Sequence, residues 1–203
     1  MSAPLKSFVT FVAILNPFAL CLYLTSVMNE LPSNQFIKVL ARACIISLTV
    51  FWIFGLTGES LLIGVLNVRP EAMRVFGGAI FFVVGYNYMV KGGRAVGILR
   101  GSLEELPSAI AVPFMIGAGT ITQAILVGKN CSAIGTIGVL FVGVLLSFFV
   151  VLAFKFLKDR IAGDRERVFE RYVNILTRLN GLLIGAISTE MIVSGIGALW
   201  AAK

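Results

Sequence analysis

The sequence contains no histidine, and only 10 of its 203 residues are acidic. Without histidine the chain lacks the side chain that most often acts as a general acid or base and as a metal ligand. The apolar segments contain no pair of acids at membrane depth, and no phosphate-binding P-loop motif is present. These absences argue against an enzyme and against direct ATP-driven pumping by this chain.

Cysteine is also scarce. Cys21, Cys44 and Cys131 are odd in number and lack metal-ligand spacing, so neither a disulfide framework nor a zinc site is predicted. We interpret them as small buried apolar residues, and we expect neither a cofactor nor a metal.

Charged residues make up only 13% of the chain, while 58% of the residues are hydrophobic and the mean hydropathy is +0.97. A soluble domain carries about a quarter charged residues. The apolar residues fall into stretches of about twenty, the length at which an α-helix crosses a hydrocarbon core of about 30 Å. The sequence therefore predicts an all-α membrane protein with six transmembrane helices, at residues 7–27, 36–56, 71–90, 108–127, 132–156 and 174–200.

The distribution of basic residues predicts the orientation. Of the 17 Lys and Arg residues, the expected spans leave five on the side of the two termini and twelve on the other side. Because Lys and Arg are retained in the cytoplasm, both termini are predicted to lie outside. The net charge of +7 is then a topology signal, and the expected partner is the lipid bilayer rather than nucleic acid.

Two of the expected spans, about a hundred residues apart, are interrupted near their middle. Asn16-Pro17 interrupts the first span and Gly117-Ala118-Gly119 the fourth. Inside hydrocarbon an unpaired backbone group costs several kcal/mol, so an interruption is tolerated only where protein or a wet cavity satisfies it. We therefore predict that helices 1 and 4 are discontinuous and that their breaks line a site.

The residues at each break favour the start of a new half-helix. Asn is a favoured cap and Pro suits the first helical position, so one half-helix is predicted to begin near Phe18, and the other at Thr120 or Ile121. Two half-helix N-termini that meet near the midplane favour a bound carboxylate. The predicted substrate-binding residues are Asn16, Pro17, Phe18, Gly117, Ala118, Gly119, Thr120, Thr122 and Asn87.

The sequence divides into two halves that resemble each other, residues 1–100 and 101–203, within a single transmembrane domain. Residues 78–92 overlay residues 181–195 without a gap, and the overlay pairs Asn87 with Glu190. Because each half has three helices, the second half enters the membrane inverted, which is the plan of many secondary transporters, and one repeat is expected to rock against the other. The alternative is chance similarity between glycine-rich helices.

Glu190 is the only acid that the expected spans place near the centre of a helix. An ionised carboxylate is costly at that depth, so it is expected to face the interior. Three roles remain open: a proton-coupling group, a partner for a substrate ammonium, and a structural acid bonded to Thr189 or to a neighbouring helix.

Four motifs together resemble a known family: Asn16-Pro17-Phe18, residues 74–78, residues 112–122 and residues 180–195. They resemble the MarC family, which belongs with the LysE-like exporters, and the resemblance covers essentially the whole chain. It implies six transmembrane helices in the plasma membrane of a prokaryote. Through the archaeal members called SnatA, it also implies transport of small neutral amino acids, such as glycine and alanine, driven by the proton gradient.

The sequence thus predicts a secondary transporter whose partners are a small neutral amino acid and a coupling proton or sodium ion. The direction of transport and the oligomeric state stay open. One alternative is an exporter or channel for another small metabolite or a drug. Another is a structural or regulatory membrane protein that transports nothing.

Overall fold

The computed structural model describes residues 3–58, 60–65, 67–92, 104–161 and 164–201. Within these ranges all regular secondary structure is helical, which confirms the all-α prediction. The α-helices in chain order are α1 Ala3–Leu15, α2 Pro17–Tyr23, α3 Thr25–Glu30, α4 Ser33–Thr57, α5 Pro70–Lys91, α6 Leu106–Ile110, α7 Ala118–Asn130, α8 Ala133–Arg160 and α9 Asp164–Ala201. Short π-helical segments at Ser60–Val65 and Ala111–Met115 precede α5 and α7.

Five helical stretches of the described chain are long and apolar enough to cross a membrane: Ala3–Tyr23, Ser33–Thr57, Pro70–Lys91, Ala133–Arg160 and Arg171–Ala201. They correspond to five of the six predicted spans. The predicted span at residues 108–127 is divided among α6, a π-helical segment and α7. Because α7 has 13 residues, it reaches only about 20 Å at 1.5 Å per residue, so this span contains no continuous helix of membrane length.

The mixed-charge sequence of residues 158–167 by itself favours a solvated loop. In the structure this segment belongs largely to the end of α8 and the start of α9, because its Arg, Lys and Glu residues are good helix formers. The apolar segment 59–66 is too short to span a membrane, which indicates an extension of the second helix or an interfacial turn; its described part is the π-helical segment Ser60–Val65. It is separated from α4 by Gly58, whose φ of +62° ends that helix.

α5 and α9 pack against each other as an antiparallel pair along the whole of α5. A Cβ at Gly85 would lie 2.9 Å from the Gly181 carbonyl oxygen, and a Cβ at Gly181 would lie 2.8 Å from the Gly85 carbonyl oxygen. Near the other end, a Cβ at Gly195 would lie 3.0 Å from the Glu71 carbonyl oxygen. Glycine at these positions lets the two backbones approach closely. The most extensive contact in the fold therefore joins helices from different halves of the sequence.

The other long helices form a layer beside this pair. α1 and α4 each pack on α7 and α8. At the centre of the layer, the buried rings of Phe11 and Phe51 meet edge to face with centroids 5.3 Å apart. α5 meets this layer at α7, and α9 meets it at α2. The space between the α5–α9 pair and this layer is where the candidate site lies.

Gly181→Ala is expected to destabilise the protein, because the new Cβ would lie 2.8 Å from both the Gly85 carbonyl oxygen and the Met89 nitrogen. Overpacking of this kind costs about 1–3 kcal/mol. Gly197 lies on the same helix, and a Cβ there meets nothing within 4 Å. Gly197→Ala is therefore the matched control, neutral or stabilising by up to ~1 kcal/mol. Thermal unfolding of the detergent-purified variants measures the difference, and equal melting temperatures would contradict this packing.

Candidate functional site

The first break lies at Asn16, between α1 and α2. Asn16 has φ 48° and ψ 73°, a left-handed conformation that Asn adopts more readily than most residues. Its side-chain oxygen accepts a hydrogen bond from the Ala19 N–H at 3.1 Å. Pro17 is the first residue of α2, one residue before the predicted start near Phe18. The predicted discontinuity of helix 1 is therefore present, with the expected cap.

The second break lies at Gly117, just before α7. α7 begins at Ala118, not at position 120 or 121 as predicted. The cause is a cap that the sequence pattern did not indicate: the Gly117 N–H donates to the Thr120 hydroxyl oxygen at 2.9 Å. The same hydroxyl lies 2.8 Å from the Met115 carbonyl oxygen, to which it can donate. One side chain at the start of α7 thus satisfies backbone groups of Gly117 and Met115, at the break and just before it.

Each break touches the third long helix of the other half of the sequence. Asn16 donates from Nδ2 to Oδ1 of Asn180 on α9 at 3.3 Å. Ala118 packs directly against Gly77 on α5, where any side chain would collide with the Ala118 Cβ. The sequence overlay makes positions 77 and 180 equivalent. The two breaks therefore meet equivalent positions in opposite halves.

A small cavity of about 50 Å³ lies beside Asn16. Since one water needs roughly 10–15 Å³, the cavity has room for only a few water-sized groups. Its polar side chains are Asn16 and Tyr23, and its wall is otherwise apolar. The apolar residues are Ile14, Leu15, Ala19, Ile80, Phe81, Val84, Phe114, Ile184 and Ile187.

A larger cavity of about 500 Å³ adjoins the small one. Ile14 and Ile187 line both cavities and so stand between them. The remaining small and apolar residues of its wall are Gly119, Ala186 and Met191, and its polar residues are Arg74, Thr122, Gln123, Glu190 and Ser194. The larger cavity is therefore lined by more polar side chains, two of which are charged.

Arg74 and Glu190 are the two charged residues of the larger cavity. Arg74 is partly exposed and Glu190 is exposed. Within the described part of the chain, neither side chain has an ion-pair or hydrogen-bond partner. The cavity thus presents one unpaired positive group and one unpaired negative group.

The structure brings four of the predicted site residues to these cavities. Asn16 lines the small cavity, and Gly119, Thr122 and Glu190 line the larger one. Thr122 donates its hydroxyl to the Ala118 carbonyl of its own helix at 2.8 Å. A ligand in the larger cavity would therefore meet this hydroxyl mainly as an acceptor.

The other predicted residues lie beside the cavities or away from them. Pro17, Gly117, Ala118 and Thr120 build the two breaks. Phe18 is 42% exposed and lines neither cavity.

Asn87, paired with Glu190 in the sequence overlay, also lines neither cavity. Its side-chain amide donates to the Val83 carbonyl oxygen at 2.8 Å. Of the two residues that the overlay pairs, only Glu190 therefore lies at a cavity.

Three aromatic rings lie at the end of the small cavity that is farther from Arg74. Tyr23 stacks on Tyr88 with ring centroids 4.8 Å apart and meets Phe114 at 5.0 Å. Tyr23 and Phe114 line the cavity, and Tyr88 is buried behind them. These residues were not predicted from the sequence, because an aromatic ring at a cavity has the same sequence signal as one in an apolar core.

Polar residues of the site were missed as well. Arg74 was counted among the topology charges and begins the motif 74–78, but it was not predicted as a site residue, although it lies inside the predicted helix 71–90. A charged residue within a span is costly and points to a wet interior, so this position was an available signal. Asn180, inside the predicted span 174–200, gave a similar signal.

Comparison with known proteins gives matches over the whole chain. The family model for the MarC family integral membrane protein matches residues 1–200. The chain is 26% identical over 202 residues to a UPF0056 membrane protein of Aquifex aeolicus, covering 94% of this chain and 91% of the relative. It is 28% identical over 201 residues to a UPF0056 membrane protein of Methanocaldococcus jannaschii, covering 95% and 96%. It is 25% identical over 201 residues to the inner membrane protein YhgN of Escherichia coli strain K12, covering 97% of each. No solved structure gives a significant match.

Asn16→Ala is expected to destabilise the protein more than Asn16→Gly. Both changes remove the side-chain cap on the Ala19 N–H, worth about 1 kcal/mol, but Ala must also hold φ near 48°, which costs an additional ~1–2 kcal/mol. Asn67 has φ 49° and lies outside both cavities, so Asn67→Ala measures the backbone cost alone. Thermal unfolding of the three variants gives the order, and equal losses for Asn16→Ala and Asn67→Ala would show that the cap contributes nothing.

Proposed function

The chain belongs to the MarC family of integral membrane proteins, and from that premise we propose that it is a secondary transporter of small neutral amino acids coupled to the proton gradient. The proposal places it in the plasma membrane of a prokaryote with both termini outside, because the other side carries most of its Lys and Arg. The names of the relatives give a membrane location and no substrate. The substrate class therefore rests on the resemblance to the SnatA transporters and on the chemistry of the two cavities.

The observation that carries the proposal is that two interrupted helices restart beside one pair of adjoining cavities. A restarted helix presents unpaired N–H groups and the positive end of its dipole. Asn16, the cap of α2, and Gly119, in the first turn of α7, line the cavities. Discontinuous helices in secondary transporters bind anionic groups of the substrate in this way. We assign the substrate carboxylate to these helix ends.

The size of the small cavity supports a small substrate. With about 50 Å³, it suits glycine or alanine, whose heavy atoms number about as many as the few waters it would hold. A bulky drug would require Ile80, Val84 and Ile184 to move apart. The apolar wall favours an uncharged side chain over an acidic or basic one.

Glu190 is the residue that we propose for coupling. Thr189 donates its hydroxyl to the Gly185 carbonyl oxygen at 2.9 Å and is not bonded to Glu190, so that version of the structural role has no support. An unpaired carboxylate facing a wet cavity can take up a proton or meet a cation. A proton is the proposed coupling ion, and sodium is the other candidate for the same carboxylate.

The order of features along α5 supports alternating access. Arg74 lies at the larger cavity, Val84 at the small cavity, and Tyr88 in the ring cluster beyond. With the termini outside, the larger cavity faces the outer half of the membrane, and the rings close the path toward the cytoplasm.

The packing supports a motion in which the two moving bodies are not the two halves of the sequence. α5 and α9 hold each other through glycine contacts, whereas both make fewer contacts with the remaining helices. We propose that this pair moves as one body against α1, α2, α4, α7 and α8. The equivalent contacts of the two breaks, at positions 180 and 77, support the two inverted three-helix repeats.

Gradient-driven glycine uptake into liposomes tests the proposed function. In the wild-type protein an imposed proton gradient is expected to drive accumulation of labelled glycine. Glu190→Gln is expected to abolish accumulation while leaving exchange of glycine across the membrane at saturating glycine concentration, because the neutral amide cannot carry a proton. Glu104→Gln, at an exposed residue outside both cavities, is the matched control and should behave as wild type.

Each contrary result has a distinct meaning. Accumulation retained in Glu190→Gln would contradict the coupling role of that residue. Accumulation driven by a sodium gradient alone would show that sodium, and not the proton, is the coupling ion. No glycine flux in the wild-type protein would contradict the amino acid transporter and favour a channel, another exporter or a structural protein.

Val84→Ala is expected to widen the range of transported amino acids, because Val84 lines the small cavity and its truncation removes two methyl groups from the wall. Uptake of valine relative to glycine should rise, by up to about tenfold for one or two methyl groups. Val83 precedes it on the same helix and is 59% exposed, so Val83→Ala is the control that should leave the ratio unchanged. An unchanged valine-to-glycine ratio in Val84→Ala would show that this cavity does not select substrate by size.

A further inference from the structure

Arg74 and Glu190 reach the larger cavity from the two helices of the α5–α9 pair. These helices run antiparallel, and a Cβ at Gly195 would contact Val75 at 2.7 Å, which fixes their register. Arg74 is therefore nearly level with Ser194, about one helical turn, or ~5–6 Å, along the axis from Glu190. The backbone positions that carry the two charges thus lie at a fixed spacing on one packed pair of helices.

The two charges face a cavity instead of each other or another side chain of the described residues. While the cavity is open, water hydrates both groups. When it closes, each ion that loses water without gaining a partner destabilises the closed state. The two charges have opposite sign, so a ligand that pairs with both of them carries one negative and one positive group.

We infer that Arg74 and Glu190 form an outer recognition site for a zwitterion, in which the Arg74 guanidinium binds the ligand carboxylate and the Glu190 carboxylate binds its ammonium. The inference rests on the proposed function and deepens it by adding an earlier site, where two side chains bind the two ends of the amino acid before its carboxylate reaches the restarted helices. Arg presents paired N–H donors that match a carboxylate bidentately. Ile14 and Ile187 separate this site from the small cavity, so a ligand is recognised by charge before it is selected by size.

The same pair rejects ligands that carry only one charge. An amine without a carboxylate is repelled by Arg74, and an acid without an ammonium is repelled by Glu190. Such repulsive groups are an effective source of specificity. The pair therefore selects neutral amino acids over simple amines and carboxylic acids.

Glycine exchange in liposomes without an imposed gradient tests this recognition separately from coupling. Arg74→Gln is expected to raise the half-saturating glycine concentration by about tenfold or more, since it removes a charge-assisted hydrogen bond. Arg74→Lys, which keeps the charge and loses the bidentate fork, should lie between it and wild type. Arg69→Gln removes the same charge from an exposed residue just before α5, outside both cavities, and should stay within about twofold of wild type.

Competition by glycinamide adds a readout that a merely structural role would not change. Glycinamide keeps an ammonium and lacks the carboxylate, so it should compete poorly with glycine in the wild-type protein. Its competition relative to unlabelled glycine should improve in Arg74→Gln. Half-saturation and competition in Arg74→Gln that both match Arg69→Gln would overturn the site while leaving glycine transport established.

Thermal stabilisation of the purified protein by glycine measures binding without transport. Glycine should stabilise the wild-type protein more than acetate or glycinamide does, and the difference should disappear in Arg74→Gln but persist in part in Arg74→Lys. This pattern in a wild-type protein without glycine flux would support the recognition site and overturn the transport function. Neither stabilisation nor flux in the wild-type protein would overturn both.

Discussion

The rest of the structure depends on the satisfaction of backbone hydrogen bonds at two interruptions inside apolar helices. In hydrocarbon an unpaired backbone group has no water to bind, so irregular backbone survives only against protein or a wet cavity. At the first interruption Asn16 supplies a left-handed backbone and its own side chain as the cap. At the second, the hydroxyl of Thr120 satisfies Gly117 from inside the new helix. Both caps leave the first turn of the restarted helix beside a cavity, which is where the proposed substrate would be bound.

The glycine contacts between α5 and α9 join one helix from each half of the sequence into a packed pair, and the other long helices form a separate layer. Arg74 and Glu190 both belong to this pair, whereas Asn16 and Gly119 belong to the facing layer. A ligand held by the charged pair and by the restarted helices would therefore touch two bodies at once. Only a ligand whose affinity differs between two arrangements can shift the equilibrium between them. Contact with both bodies provides such a difference under the proposed transport cycle.

Local chemistry was predictable from the sequence, and contacts across the fold were not. The break at Asn16 and its cap follow from residue type and from the cost of polar groups in hydrocarbon. Glu190 was expected to face the interior, and the structure places it exposed beside the larger cavity. The start of α7 was predicted too late, because only the folded chain shows which backbone group Thr120 meets. Hydrophobic periodicity does not say which helix a face will meet, so the bond from Asn16 to Asn180 and the ring cluster around Tyr23 were missed.

The two halves satisfy equivalent positions with different chemistry, and this difference bears on how the cavities would open. The bond from Asn16 to Asn180 is 3.3 Å long and borders the small cavity. Water or an entering solute can take over such a bond at little enthalpic cost. The contact of Ala118 with Gly77 has no polar group. Separating these two residues loses dispersion contacts, and an entering solute does not replace each of them. In the proposed cycle α9 therefore separates from the break at Asn16. α5 stays in contact with Ala118, and the α5–α9 pair rotates about that contact.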